Sequence, residues 1–167
     1  MPFASFLATM PSLETKYFGT LPYSEGAVFH FPHGIPGFEE EKRFVLIEVA
    51  ERAPLVFLQS MARADLCFTA FPIQVVDRQY PLAIAPEDLE DLELGPGRQP
   101  ALGIDVTVLA LISWHGQSRV TANLMAPVVL NLKTRRGLQA IRRDARYSHE
   151  HPLPGQPDAG PCPGETC

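Results

Sequence analysis

Two X-Pro steps and two glycines fall within eight residues, Phe31-Pro32-His33-Gly34-Ile35-Pro36-Gly37-Phe38, and no regular helix can run through them. Each proline fixes its own φ and pushes the residue before it, Phe31 or Ile35, toward extended geometry. Gly34 and Gly37 accept φ > 0 or a close backbone neighbour, and Pro36-Gly37 suits the central pair of a type II turn. The pattern predicts a stiff elbow between two strands, residues 27–31 and 43–47. Between elbow and second strand, Phe38 to Arg43 carries three acids and then two bases, the charge order that suits one exposed helical turn. The elbow reads either as a structural corner or as a rigid binding platform, since binding residues often sit on loops held by a scaffold.

The same punctuation recurs along the whole chain. Seventeen prolines in 167 residues argue against long helices and for short strands. Strands are expected at 15–21, with Gly19 a bulge, then at 27–31, 43–47, 54–60 and 66–71. The runs at 54–60 and 66–71 are nearly all apolar, which predicts cover on both faces. Residues 73–76 and 80–84 are broken by Pro72 and Pro81 and are placed at an edge. Residues 86–94 are the best helix, with proline at its start, acids in the first turn, and Leu89 and Leu92 to dock on a sheet; Gly95-Pro96-Gly97 stops it. The longest apolar segment, 103–114, is rich in β-branched residues and reads as a central strand, paired with 119–124 as a hairpin. Strands at 127–132 and 138–141 follow around a basic turn. The spacing of about 8–12 residues predicts a mainly β fold. It is expected to be a compact, antiparallel, barrel-like single domain over 14–153 with one or two short helices. Residues 1–13 are expected to be a disordered extension and 154–167 a disordered Pro/Gly-rich tail.

Charge narrows the function. The net charge of -5 gives no broad attraction for nucleic acid or an anionic membrane. Residues 86–93 hold five acids and no base, whereas 133–146 hold six bases and one acid. The basic segment reads as a solvated hairpin end, a patch for an acidic protein surface, or a phosphate-binding site. No apolar run reaches the ~18–20 residues that span a bilayer. The N-terminus lacks a basic stretch before its apolar residues, so no signal peptide is expected and the cytoplasm is the default compartment. Cys67 reads as a buried side chain, and Cys162 and Cys167 as free thiols.

Catalytic signatures are missing. There is no G-x-S-x-G, Walker A, G-x-G-x-x-G or H-E-x-x-H sequence. His30 with His33, or His149 with His151, is too few for a catalytic zinc. Ser60, Cys67 and His115 could form a nucleophilic set only if the fold brought them together. Asp105, inside an apolar run, is either a shifted acid or a hydrogen-bonded carboxylate. No catalytic residue, metal or cofactor is expected.

Two stretches together resemble the signatures of the bacterial flagellar assembly factor family FliW. The first is Phe31-Pro32-x-Gly34-Ile35-Pro36-Gly37-Phe38-Glu39 followed by Arg43-Phe44-Val45-Leu46. The second is Thr121-Ala122-Asn123-Leu124-x-Ala126-Pro127-Val128-Val129-Leu130-Asn131 followed by Lys133-Thr134-Arg135-Arg136-Gly137. Leu58-Gln59-Ser60 and the closing His151-Pro152-Leu153 fit as well. Met125 and Leu132 depart from the pattern, standing where lysine and proline are common. The resemblance implies a non-catalytic, monomeric cytoplasmic protein. Its partners would be flagellin and the carbon storage regulator, a dimeric RNA-binding translational repressor, with no direct contact to nucleic acid or membrane. Free flagellin would compete, so that flagellin level feeds back on flagellin translation.

On that basis Phe31, Ile35, Pro36, Phe38, Asn123, Leu124, Met125 and Pro127 are the expected flagellin-binding residues, taking the apolar stripe of a helix. Glu39, Glu40, Glu87, Asp88, Glu90 and Asp91 are the expected repressor-binding acids. The competing readings are a β-barrel enzyme or small-ligand binder, with a deep polar pocket, and a nucleic-acid module built on 133–146.

Overall fold

The computed structural model describes residues 10–153; the expected disorder of 1–9 and of the 154–167 tail lies outside them. In chain order the elements are β1 (Ser12–Thr15), β2 (Gly19–Pro22), β3 (Val28–His30), β4 (Arg43–Glu48), β5 (Val56–Ser60) and β6 (Cys67–Pro72). Two short helices follow, α1 (Ile73–Val76) and α2 (Pro86–Asp91). The remaining strands are β7 (Val106–His115), β8 (Arg119–Ala122), β9 (Val128–Asn131), β10 (Gly137–Gln139) and β11 (His151–Pro152).

Nine strands form one antiparallel sheet along the path β10-β9-β7-β6-β5-β4-β3, with β8 on β7 and β11 on β8. The sheet curls without closing into a full barrel ladder. Its two ends meet at one parallel bridge between His30 and Arg136, where the His30 N–H donates to the Arg135 carbonyl at 2.8 Å. Alternation along the strands sorts the side chains into an inside and an outside. Phe29, Phe44, Leu58, Ala70, Leu109 and Leu130 pack inside the curl with Phe31. Outside, the β1–β2 hairpin covers Val45, Ile47 and Phe57. The segment from α1 through α2 covers Val106, Val108, Val129 and Leu138.

Several expectations change in the folded chain. Residues 15–21 are not one strand. Thr15 Oγ1 donates to the Gly19 carbonyl and accepts from the Phe18 N–H, which folds 16–18 into a hairpin turn with Gly19 at φ +62° rather than a bulge. Strand β1 already begins at Ser12. Residues 73–76 form a single helical turn around buried Ile73. Residues 80–84 belong to no strand, because the Gln99 side-chain amide bonds both the N–H and the carbonyl of Ile84. Strand β5 is buried along its length as expected, but β6 is only half-buried. Helix α2 ends before the glycines. The Leu94 N–H reaches the Leu89 carbonyl and the Glu93 N–H reaches that of Glu90, with Glu93 itself at φ +57°. This is a Schellman cap that places glutamate where glycine is usual.

A clamp fixes the outer cover. Arg142 is buried against the rings of Tyr80 and Tyr147, at 5.0 and 5.1 Å from their centroids. Its guanidinium also donates to Asp144 and to the Pro81 carbonyl. Tyr80 donates to the Leu124 carbonyl at 2.8 Å, and Tyr147 to Asp77 at 2.6 Å. Burial, then the bond to Asp77, pushes the Tyr147 phenol up to about 12.

The contact between the two sheet ends is tight. A Cβ at Gly137 would lie 2.7 Å from Phe31 Cζ and 2.9 Å from Leu130 Cδ2, and both side chains are fully buried. Gly137→Ala is expected to cost about 1–3 kcal/mol, read as a lower urea midpoint at unchanged slope. With Phe31→Leu in the same chain, the joint cost is expected to fall below the sum. The clamp predicts an alkaline limit. Above pH 10 an unfolded tyrosine loses its proton while Tyr147 keeps its own up to about 12, so the unfolded chain binds fewer protons and stability falls with rising pH. The urea midpoint is expected to drop over that window, and Tyr147→Phe to make the drop shallower.

Candidate functional site: an apolar mouth and an acidic face joined by the elbow

The elbow has the rigidity its residues predict. Gly34 N–H donates to the Phe31 carbonyl at 3.0 Å and Phe38 N–H to that of Ile35 at 2.7 Å, giving two consecutive turns. Gly37 at φ +88° is the third residue of the Pro36-Gly37 turn, as type II requires. Gly34 at φ +67° sits where a Cβ would come within 2.6 Å of Glu39 Cα. Residues 38–43 form one turn, not a helix, closed by the Glu41 N–H on the Phe38 carbonyl. Glu41 turns inward and accepts from Ser60 Oγ at 2.6 Å. Glu39 stays exposed and accepts from the Gly37 N–H, which holds its carboxyl below the usual value.

Burial divides the expected flagellin-binding residues. Phe31 and Ile35, at 0% and 2% exposure, pack inside the curl. Leu124, at 0%, belongs to the outer core, and Pro127 is also buried. These four support a surface and do not form one. Pro36 is exposed, while Phe38, Asn123 and Met125 are half-buried. Asn123 Oδ1 is engaged by the Ala126 N–H at 2.9 Å.

An aromatic row leads from the closed interior to the open side of the sheet. Phe31 meets Phe44 edge-on at 5.0 Å, Phe44 meets Phe68 at 6.0 Å, and Phe68 meets Phe38 edge-on at 5.3 Å. Burial decreases along it, from Phe31 to half-exposed Phe38. Leu46, Phe68 and Leu111 are the other partly buried members of this core. The Asn123 N–H donates to the Leu111 carbonyl, so the second signature borders the same mouth. Leu46, Phe68 and Leu111 escape sequence reasoning because their strands read as uniform core.

The other end of the elbow touches α2. His33 Nε2 lies 2.9 Å from Asp91 Oδ2, an exposed pair worth little on its own. The stronger ties satisfy the carbonyls that a helix leaves open at its C-terminus. Buried Asn131 donates Nδ2 to the Leu92 carbonyl at 2.7 Å, and Arg136 donates to the Asp91 carbonyl at 2.9 Å. Arg136 Nε also pairs with Glu93 at 3.1 Å. Glu87 and Glu90 stand exposed, and Asp88 and Asp91 are half-buried. Burial, with Asp91 beside it, raises the Asp88 carboxyl above its usual value. Glu39 and Glu40 are exposed on the elbow.

The basic segment 133–146 is taken apart by the fold. Arg135 lies over Phe29, Arg136 holds the end of α2, Arg142 is buried in the clamp, Arg143 pairs with Glu87, and Arg146 lies over Tyr147. These partners remove most of a continuous phosphate-binding strip. Nor do the imagined nucleophilic residues meet. Ser60 bonds Glu41, His115 bonds Thr121, and burial pushes the Cys67 thiol up to about 11. Asp105 accepts from the Ala101 N–H at 2.8 Å, the hydrogen-bonded alternative. Among the described residues no group of three or more His, Cys, Asp or Glu could hold a metal, and no helix is long and apolar enough to cross a membrane.

Asn131 also accepts the Lys133 and Thr134 N–H groups through Oδ1. Asn131→Ala strips one buried and two part-buried bonds at once and is expected to cost about 2–4 kcal/mol, whereas His33→Ala is expected to cost under about 0.5 kcal/mol. Paired denaturant titrations check the contrast.

The family model described as FliW protein matches residues 12–153. A flagellar assembly factor FliW of Desulfitobacterium hafniense (strain Y51) is 36% identical over 151 residues, 90% of this chain and 96% of that relative. One from Bacillus subtilis (strain 168) is 30% identical over 145 residues, 86% and 97% of the two chains. A solved structure, the crystal structure of the flagellar assembly factor FliW, superposes with a TM-score of 0.73 at 33% identity, covering 86% of this chain and 96% of that one. With the family model matched over residues 12–153 and the fold shared, the chain belongs to the FliW family.

Proposed function

We propose that this chain binds flagellin and antagonises the carbon storage regulator, so that the level of free flagellin sets translation of flagellin mRNA. Its relatives are flagellar assembly factors, which supports a role in building the filament. The observation that carries the flagellin half is the apolar mouth. A chain that leaves Phe38, Leu46, Phe68 and Leu111 partly uncovered beside one core has an apolar surface suited to the apolar stripe of a helix. Phe31 and Ile35 pack beneath this surface in the same core, whereas Leu124 belongs to the outer core and Pro127 is buried; Pro36 is exposed, and Asn123 and Met125 are half-buried.

The repressor half rests on the acidic face. Exposed Glu39, Glu40 and Glu90 offer a complement to a surface that binds RNA, with Asp88 half-buried beside them and Glu87 and Asp91 already paired with Arg143 and His33. Sequestering the repressor without catalysis requires only that the docked repressor binds RNA more weakly than the free one. A nucleic-acid module on 133–146 is disfavoured, because its arginines already have partners within the chain. A small-ligand binder is disfavoured too, because the grooves along α2 and the loop behind it are open to solvent rather than deep enclosed pockets.

Capture of partners from a lysate of a flagellated bacterium, identified by mass spectrometry, tests the proposal. Wild-type protein is expected to retain flagellin and a small RNA-binding repressor. Phe38→Ser is expected to weaken flagellin binding at least about tenfold while leaving the repressor bound. Recovery of RNA without protein, or of neither protein, would refute it.

A further inference from the structure

Glu90 is exposed on α2, and its side chain has no hydrogen bond or ion pair among the described residues. It borders a groove of about 660 Å3 walled by Pro86, Leu89, Leu94 and Pro96, with Glu87 also on the rim and no lysine or arginine in the lining. The walls are stiff. Leu94 is held by its N–H on the Leu89 carbonyl, Pro96 follows directly after Gly95, and the end of α2 is bonded by Asn131 and Arg136. A second groove, beyond Leu94, has Arg98 and Lys133 beside Glu93 and Asp105, so its charges offset one another. Glu87 on this rim is paired with Arg143, which leaves Glu90 as the acid of the groove with no partner among the described residues.

The geometry points to this groove as the docking site for a short basic amphipathic segment of a partner protein. One leucine-sized side chain would sit between Leu89, Leu94 and Pro96, and a lysine or arginine one helical turn away would reach Glu90. The inference rests on the reading that the acidic face meets a basic partner, and adds the apolar anchor that charge alone does not supply. Charge also decides against the chain's own ends. Residues 1–9 carry no charged side chain, and 154–167 carry two acids and no base. A second copy fits poorly, since each chain carries a net charge of -5 and like-charged chains repel. Affinity from such a site depends on both parts, an apolar anchor for strength and a salt-sensitive ion pair for orientation and encounter rate.

The test uses the full chain and a labelled probe peptide with leucines at helical spacing and lysines elsewhere, followed by fluorescence anisotropy. A matched peptide with glutamate for every lysine is the control. The lysine peptide is expected to bind, more tightly at low salt, and the glutamate peptide not to bind. Glu90→Lys is expected to weaken binding at least about tenfold. Glu48→Lys makes the same charge change at an exposed acid on β4 and is expected to leave the affinity within about twofold. Glu90→Gln, which keeps the side-chain size, is expected to fall between wild type and Glu90→Lys.

Equal losses in the two lysine variants would reduce the effect to general charge attraction and overturn the site. Equal binding of the glutamate peptide would reduce it to apolar adhesion. A Glu90-dependent shift in sedimentation of the chain alone, without peptide, would make a second copy the occupant and overturn the assignment as well. Should the repressor be captured equally by wild type and Glu90→Lys, this inference fails while the functional reading stands. Should the peptide bind through Glu90 but no repressor be captured, the reading fails and the groove stands.

Discussion

The architecture turns on the place where the two ends of one curled sheet meet. An open nine-stranded sheet would leave two rows of unpaired backbone groups, a template for aggregation. Here β3 and the start of β10 come together through a single bridge at His30 and Arg136, and Phe31 fills the space against Gly137. That contact has no room for a side chain at 137. It joins the first signature to the second and draws residues about a hundred positions apart into one wall.

From that seam the two candidate surfaces follow in opposite directions. The elbow leaves the seam at Phe31 and carries Phe38 to the open side, where the aromatic row becomes half-exposed. The turn after β9 leaves it at Asn131 and Arg136, whose side chains hold the last carbonyls of α2. A helix of six residues has little stability of its own, so its position is set by these bonds and by buried Leu89 and Leu92. Arg136, from the basic run after Asn131, therefore fixes the end of this helix, and Arg143 pairs with Glu87 on it. This is the reverse of what their run in the sequence suggests when read as a surface patch.

Much of the secondary structure was legible because it depends on local chemistry. The Pro36-Gly37 turn, the central strand of 106–115, its hairpin with 119–122 and the helix starting at Pro86 follow from proline, glycine and β-branched residues acting over a few positions. The misreadings share one cause. Strand 15–21 became a hairpin through one threonine side chain, and Ile84 left strand geometry because Gln99, fifteen positions away, satisfied its backbone. In the site, Phe31, Ile35 and Leu124 drew attention as apolar members of distinctive motifs. Apolar character alone does not separate a residue that forms a surface from one that supports it.

The residues by themselves determined that the chain is mainly β, that its elbow is stiff, and that no familiar catalytic sequence is present, because φ restriction, turn chemistry and motif spacing act within a few residues. They also carried the two signatures that match the FliW family. Only the tertiary structure decided which side of each strand faces the interior, which arginines are consumed by internal partners, and where apolar side chains remain uncovered. Burial and ion pairing depend on residues brought close in space from distant parts of the chain. The closure of this sheet at Phe31 and Gly137 is what brings them there.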